Sequence, residues 1–194
     1  MKRLAIRSGS IAVLAVATLT GCGYNTIQRY DEQAAQAQHD IEVQLQRRSD
    51  LIGNLVNTVR GQANQELAVF VGVARARAGL DSAVQSHDAE RMANANAELS
   101  AQVAILNKAV VESYPQLRSN EAFMRLQDEL SGTENRIAVA RGDYNQAVET
   151  YNAYIRQFPQ VVTARVIGSK PRTYFNASSE AETAPKVDFG KPGT

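Results

Sequence analysis

Eleven positions between Phe123 and Phe158 are spaced by three and four residues in strict alternation: Phe123, Leu126, Leu130, Thr133, Ile137, Ala140, Tyr144, Ala147, Tyr151, Tyr154 and Phe158. This spacing puts every member on one stripe of an α-helix. Heptads that run without a slip require a partner along the whole stripe, as in a coiled coil. A chain holding this segment is confined to folds in which long helices lie side by side. Gly132 and Gly142 leave the phase unchanged, so one continuous helix is expected, ended by Pro159.

Two further stripes supply its neighbours. The first runs Ile27, Tyr30, Ala34, Ala37, Ile41, Leu45 and then Ile52, Val56, Val59, Ala63, Leu67, Phe70, Ala74, with an irregular step at Arg47-Arg48-Ser49-Asp50. An added four-residue step unwinds a supercoil locally, and Gly53 follows it at a cost of about 1 kcal/mol relative to Ala. A kink or a full break is expected near Gly53. From Gly79 to Asp88 the pattern lapses into turn and cap residues, with Ser86, Asp88 and Glu90 as a helix start. The second stripe is Met92, Leu99, Val103, Leu106 and Val110, stopped at Tyr114-Pro115 because a residue before proline avoids the α region. Ser119 and Asn120 offer the next cap. Beyond Pro159, Val161, Val162, Val166 and Ile167 are expected to lie back on the bundle. The expected class is all-α: an elongated antiparallel up-and-down helical bundle of three long elements, or four if the first breaks near Gly53.

Lys2, Arg3 and Arg7, then an apolar run from Ile11, then Leu19-Thr20-Gly21-Cys22, have the order of a secretory signal peptide. The last four residues form a lipobox, in which a thiol accepts diacylglycerol and small neighbours admit the peptidase. Ser8, Gly9 and Ser10 leave roughly half of the ~20 apolar residues a membrane span needs. The expected division is a lipoprotein signal peptide at 1–21, a helical domain at 22–175 and a disordered polar tail at 176–194. Gly23, where an aspartate would favour inner-membrane retention, points to an outer-membrane anchor facing the periplasm. The alternative is an inner-membrane protein with an uncleaved N-terminal helix. Without Lys2, Arg3 and Arg7 the 21 basic residues fall to 18 against 20 acidic ones, which gives no basic face for nucleic acid. The single cysteine is claimed by lipid and leaves no disulfide or thiolate metal site.

Arg47-Arg48-Ser49-Asp50-Leu51-Ile52-Gly53-Asn54-Leu55-Val56, Tyr114-Pro115 through Phe123, Thr133-Glu134-Asn135-Arg136-Ile137, Tyr144-Asn145 with Tyr151-Asn152, Phe158-Pro159 and Tyr174-Phe175 resemble the motifs of the LemA family in order and spacing. The resemblance covers Tyr24 to Phe175. It implies an antiparallel helical bundle, described for the family as four helices, and no established enzymatic activity. Members usually have proline where Gly53 stands, and most carry an N-terminal transmembrane anchor rather than a lipobox.

Chemistry-bearing motifs are sparse. His39 and His87 are the only histidines, without the spacing of a His-Glu-x-x-His site, so solvated surface is their expected place and no metal or other cofactor is expected. Asp128 and Glu129 are adjacent on a helix and do not face each other. The residues singled out are Cys22 for lipidation and a polar group: Arg48, Asp50, Asn54, Glu134, Asn135, Arg136, Asn145 and Asn152. That group reads either as a buried polar layer fixing register between helices or as a partner surface near Gly53. Under the first reading, Asn145→Leu raises the melting temperature. The tyrosine stripe reads as core. The functional expectation is a non-enzymatic envelope scaffold or adaptor, held to the membrane by lipid and presenting a helical surface to another envelope protein. The alternative is a helical module binding a small apolar ligand or lipid.

Overall fold

A computed structural model describes residues 2–61 and 68–176, with side chains from Gly23 onward apart from those of Ala68 and Arg118. Helix α1 spans Lys2–Arg60, α2 Ala68–Gln85, α3 Ala89–Ser113, α4 Glu121–Tyr154 and α5 Gln160–Val166, with a 3₁₀ turn at Pro115–Ser119. No strand occurs among the described residues.

The helix ends follow from local chemistry. Asp88 caps α3 by accepting from the Glu90 and Arg91 amides, both at 3.0 Å. Asn120 caps α4 by accepting from the Phe123 amide at 3.1 Å. Each bond satisfies an N–H that the first helical turn leaves without a partner. His87, at the corner between α2 and α3, has φ of +52°. Its carbonyl accepts from the Gln38 side chain at 2.7 Å, which holds that corner against α1.

The interhelical contacts set the packing. Tyr30 of α1 meets Tyr154 of α4 edge-on, with ring centroids 5.1 Å apart, and further along Arg48 meets Glu134; α1 and α4 therefore run antiparallel. The turn at Ser86–Asp88 folds α2 and α3 into a hairpin, in which Gly72 lies against Gln102. Arg48 also reaches α3 at Asn96. The main core joins Ile41, Leu45, Ile52 and Leu55 of α1 with Phe70 and Leu80, Met92 and Leu99, and Ile137 and Tyr144 of the other three. A smaller second core, Ile27, Tyr151, Ile155 and Ala164, closes the end where α1, α4 and α5 meet.

Four expectations need correction. Gly53 does not break the helix, because α1 continues to Arg60. Leu51, Ile52 and Leu55 are buried around it, and their burial, roughly 1.5–3 kcal/mol each, outweighs the glycine penalty. The glycine serves a close approach: a Cβ there would stand 2.8 Å from Nη1 of Arg77. The first stripe does not continue as one helix; α1 stops, Ala63 and Leu67 lie outside the described residues, and α2 takes a new phase that buries Phe70, Val73 and Leu80 and exposes Ala74. The lapse at Gly79–Asp88 shrinks to Ser86–Asp88, since Leu80 and Ala83 are buried members of α2. Finally, α4 ends at Tyr154 and not at Pro159. Phe158 then falls beyond the helix and is exposed, and α5 buries Thr163 and Ala164 while Val162 and Val166 face outward.

Candidate functional site

Six of the eight polar residues singled out from sequence fall into three places, and Asp50 and Asn54 stand apart on the exposed side of α1. Arg48 is buried where α1, α3 and α4 converge. Its guanidinium donates to Asn96 Oδ1, to Ser100 Oγ at 2.9 Å and to Glu134 Oε2 at 2.8 Å. Burial lowers its pKa, and the neighbouring Glu134 opposes that shift. The carboxylate end of the pair is half exposed, so Arg48 carries most of the desolvation and Asn96 and Ser100 help offset it. At the next residue, Ser49 donates to Asp81 of α2 at 2.8 Å, and Arg77 Nε approaches Ser49 Oγ at 3.4 Å. Asn96, Ser100, Arg77 and Asp81 were not singled out, because nothing in their local sequence marks them as partners of Arg48 and Ser49.

Asn135 and Arg136 lie on the outer side of the same region. With Ala37, Asp40 and Gln44 of α1 and Val139, Ala140 and Asp143 of α4 they line an open groove of about 380 Å³. Its floor is small and apolar. Asp40 and Asp143 form no ion pair among the described residues, and Gln44 Oε1 is buried without a hydrogen-bond partner. The groove thus presents two carboxylates and one guanidinium, Arg136, beside an apolar floor.

Asn145 and Asn152 do not reach another helix. Asn152 accepts from the Arg172 amide at 2.8 Å and donates to the Arg172 carbonyl at 2.9 Å. Asn145 accepts from the Phe175 amide at 2.9 Å and donates to the Phe175 carbonyl at 3.1 Å. Each side-chain amide acts as a peptide group pairing with an extended strap at 171–176. The registers match: seven helical residues rise ~10.5 Å, and three extended residues span ~10 Å. Tyr144 donates its hydroxyl to the Thr173 carbonyl at 2.8 Å, and burial, followed by the opposing effect of Arg172, leaves its pKa raised. Burial alone would lower the Arg172 guanidinium, but its hydrogen bond to Asp31 at 2.8 Å holds it above the ordinary value. Phe175 is buried in the main core with the Arg141 guanidinium 5.3 Å from its ring centre. Tyr144 and Tyr151 are buried as core side chains.

His39 and His87 converge on one buried carboxylate, Glu42, with Nδ1 distances of 3.7 and 2.9 Å. Both imidazoles are largely exposed, and among the described residues no cluster of three ligand-type side chains suits a metal ion. Asp50 is exposed and accepts from Gln46 at 3.3 Å. Asn54 is exposed, with its carbonyl taken by Thr58 Oγ1 at 2.9 Å. Cys22 lies within α1, its side chain outside the described residues, as does most of the tail expected at 176–194. Among the described residues no helix is long and apolar enough to cross a membrane.

Residues 37–189 match the LemA family. The chain belongs to the LemA family. The LemA match includes the Arg48 centre, the groove and the strap. Two relatives, magnetosome proteins MamQ 1 and MamQ 2 of Paramagnetospirillum magneticum, are each 30% identical over 182 residues, covering 82% of this chain and 67% of theirs. The magnetosome protein MamQ of Magnetospirillum gryphiswaldense is 27% identical, covering 89% of this chain and 72% of its own.

Proposed function

We propose that this LemA-family protein is a non-enzymatic adaptor of the bacterial envelope, tethered by acylated Cys22 and presenting the α1–α4 groove to another envelope protein. The observation that carries the reading is the continuity of α1, which passes from the lipobox into the bundle without a linker. A tether at Cys22 would hold the groove at a fixed place relative to the bilayer. The groove itself favours a helix that lays small apolar residues on Ala37, Val139 and Ala140 and brings a lysine or arginine to Asp40 and Asp143. Its polar groups, Asp40 and Asp143 with Arg136, Asn135 and Gln44, include no nucleophile paired with a base, which supports docking over catalysis.

A photocrosslinking residue at Val139, which is exposed in the groove, tests the adaptor reading in cells. A defined partner captured at this position, and lost when Asp40 and Asp143 are changed to lysine, is the expected result. Capture that is indifferent to those charges, or equal from the exposed Ile105 on α3, overturns it. Intact mass of the mature protein tests the tether separately: acyl groups on a chain beginning at Cys22 support it, and an unmodified or uncleaved chain refutes it.

A further inference from the structure

Helix α5 is amphipathic in the wrong sense for a helix that only covers a core. Its inward positions are Thr163 and Ala164, and its first residue, Gln160, packs against Gly23, where a Cβ would meet Gln160 Cγ at 3.3 Å. Its outward positions are Val162, Arg165 and Val166. Val162 and Val166 are 50% and 76% exposed, and their four-residue spacing sets them on one side of the helix; Phe158, in the turn that leads into α5, is 83% exposed. Scattered apolar side chains on a surface need no explanation, but three large ones within nine residues of an exposed cationic segment do.

The segment is basic. From Thr150 to Ser179 the chain has no acidic residue, while Arg156, Arg165, Lys170 and Arg172 fall in that stretch. Arg172 is taken by Asp31. Arg156, Arg165 and Lys170 are exposed and form no ion pair among the described residues, and Arg29 of α1 lies over the Tyr30 ring at the same end. Gly23, the residue after the lipobox cysteine, touches Gln160 of α5, and Ile27 packs with Ala164. Outward apolar side chains, exposed basic residues and the residue next to Cys22 thus share one end of the molecule.

We propose that Phe158, Val162 and Val166, together with the exposed Arg156, Arg165 and Lys170 of the same segment, form a foot that rests on the interface of an anionic phospholipid bilayer. The aromatic and the two valines enter the headgroup boundary, and the arginines and lysine meet lipid phosphates, as interfacial amphipathic helices do. The foot gives the bundle a second contact beside its tether and so fixes its tilt. The inference rests on the membrane being met at the Cys22 end, by acyl chains or by an uncleaved N-terminal segment.

The chain has no tryptophan, so Phe158→Trp supplies a single depth probe at an exposed position. The full protein, purified from its membrane, is reconstituted into vesicles of phosphatidylglycerol and phosphatidylcholine brominated at shallow acyl positions. The expected result is blue-shifted, quenched emission from Phe158→Trp, and water-like, unquenched emission from the control Ile105→Trp. Adding Arg165→Gln and Lys170→Gln should reduce the docked-to-undocked ratio about five-fold per charge removed, the equivalent of ~1 kcal/mol for each basic residue near an anionic surface. Emission from Phe158→Trp that matches the control overturns the foot. Intact mass of the same sample keeps the two readings apart: an acylated protein with an unquenched probe sinks the foot alone, and an unacylated protein with a quenched probe sinks the lipid tether alone.

Discussion

Removing the Asn152 amide tests the strap directly. Asn152→Ala deletes one acceptor and one donor at once, leaving the Arg172 N–H and C=O without the bonds they make at 2.8 and 2.9 Å. A typical hydrogen bond contributes about 0.5–1.5 kcal/mol net, and a buried group left unsatisfied costs about 1–3 kcal/mol. Asn152 is buried, but the strap backbone is partly accessible and water can repair some of the loss. The expected cost is therefore about 3 kcal/mol, or roughly 6–12 °C in melting temperature for a domain of this size. Asn152→Asp keeps the acceptor for the Arg172 amide but cannot donate to its carbonyl, and should fall between the two. Amide exchange gives the local readout: the Arg172 amide should lose protection in Asn152→Ala, and the Phe175 amide in Asn145→Ala. Asn145→Leu and Asn152→Leu should both lower the melting temperature, the reverse of what a polar layer between helices requires. A rise in melting temperature for either leucine variant, or unchanged exchange at Arg172 in Asn152→Ala, would refute the pairing of asparagine with strap backbone.

Gly53→Ala should gain about 1 kcal/mol from helix propensity only when Arg77→Ala has removed the guanidinium that occupies the space of a Cβ; urea denaturation of the two single variants and the double variant measures that non-additivity, and a full gain in the Gly53→Ala protein alone would contradict it. Glu134→Gln should cost at most about 1 kcal/mol because the carboxylate is half exposed and Arg48 keeps Asn96 and Ser100. Asn96→Leu, which strips a buried acceptor from the Arg48 guanidinium, should cost at least twice as much in the same chemical denaturation. Asp88→Ala should destabilise by ~1 kcal/mol through the loss of the α3 cap, read by calorimetry together with faster exchange of the Glu90 and Arg91 amides.

The helices were legible because three-four spacing is a local property of the chain. The caps at Asp88 and Asn120 were legible for the same reason: the side chain and the amides it satisfies lie within three residues of each other. What decided Gly53 was Arg77, 24 positions later, and no local preference for or against helix reports that contact. The irregular step in the first stripe had a readable cause that apolar counting concealed. Arg48 lies three residues after Leu45 and four before Ile52, so it fills the missing stripe position as a buried charge. Phe158 continued the phase of its stripe on paper, but the chain leaves the helix after Tyr154 and the phase then has no meaning. The seven-residue interval between Asn145 and Asn152 marked them as a pair. Their partner was hidden because a strap of extended backbone carries no periodic signal of its own.

The unbroken course of α1 has one further consequence. From Gly23 to Arg60 the helix rises about 55 Å, with no joint along it. Under the proposed attachment at Cys22 it would act as a ruler: the groove beside Asp40 would stand about 25 Å along the helix from the point of attachment, and Arg60 about 55 Å along it. A protein that docks there would be selected by altitude as well as by chemistry, and a heptad inserted between Cys22 and Gly23 would move the docking face by about 10 Å while leaving its residues intact.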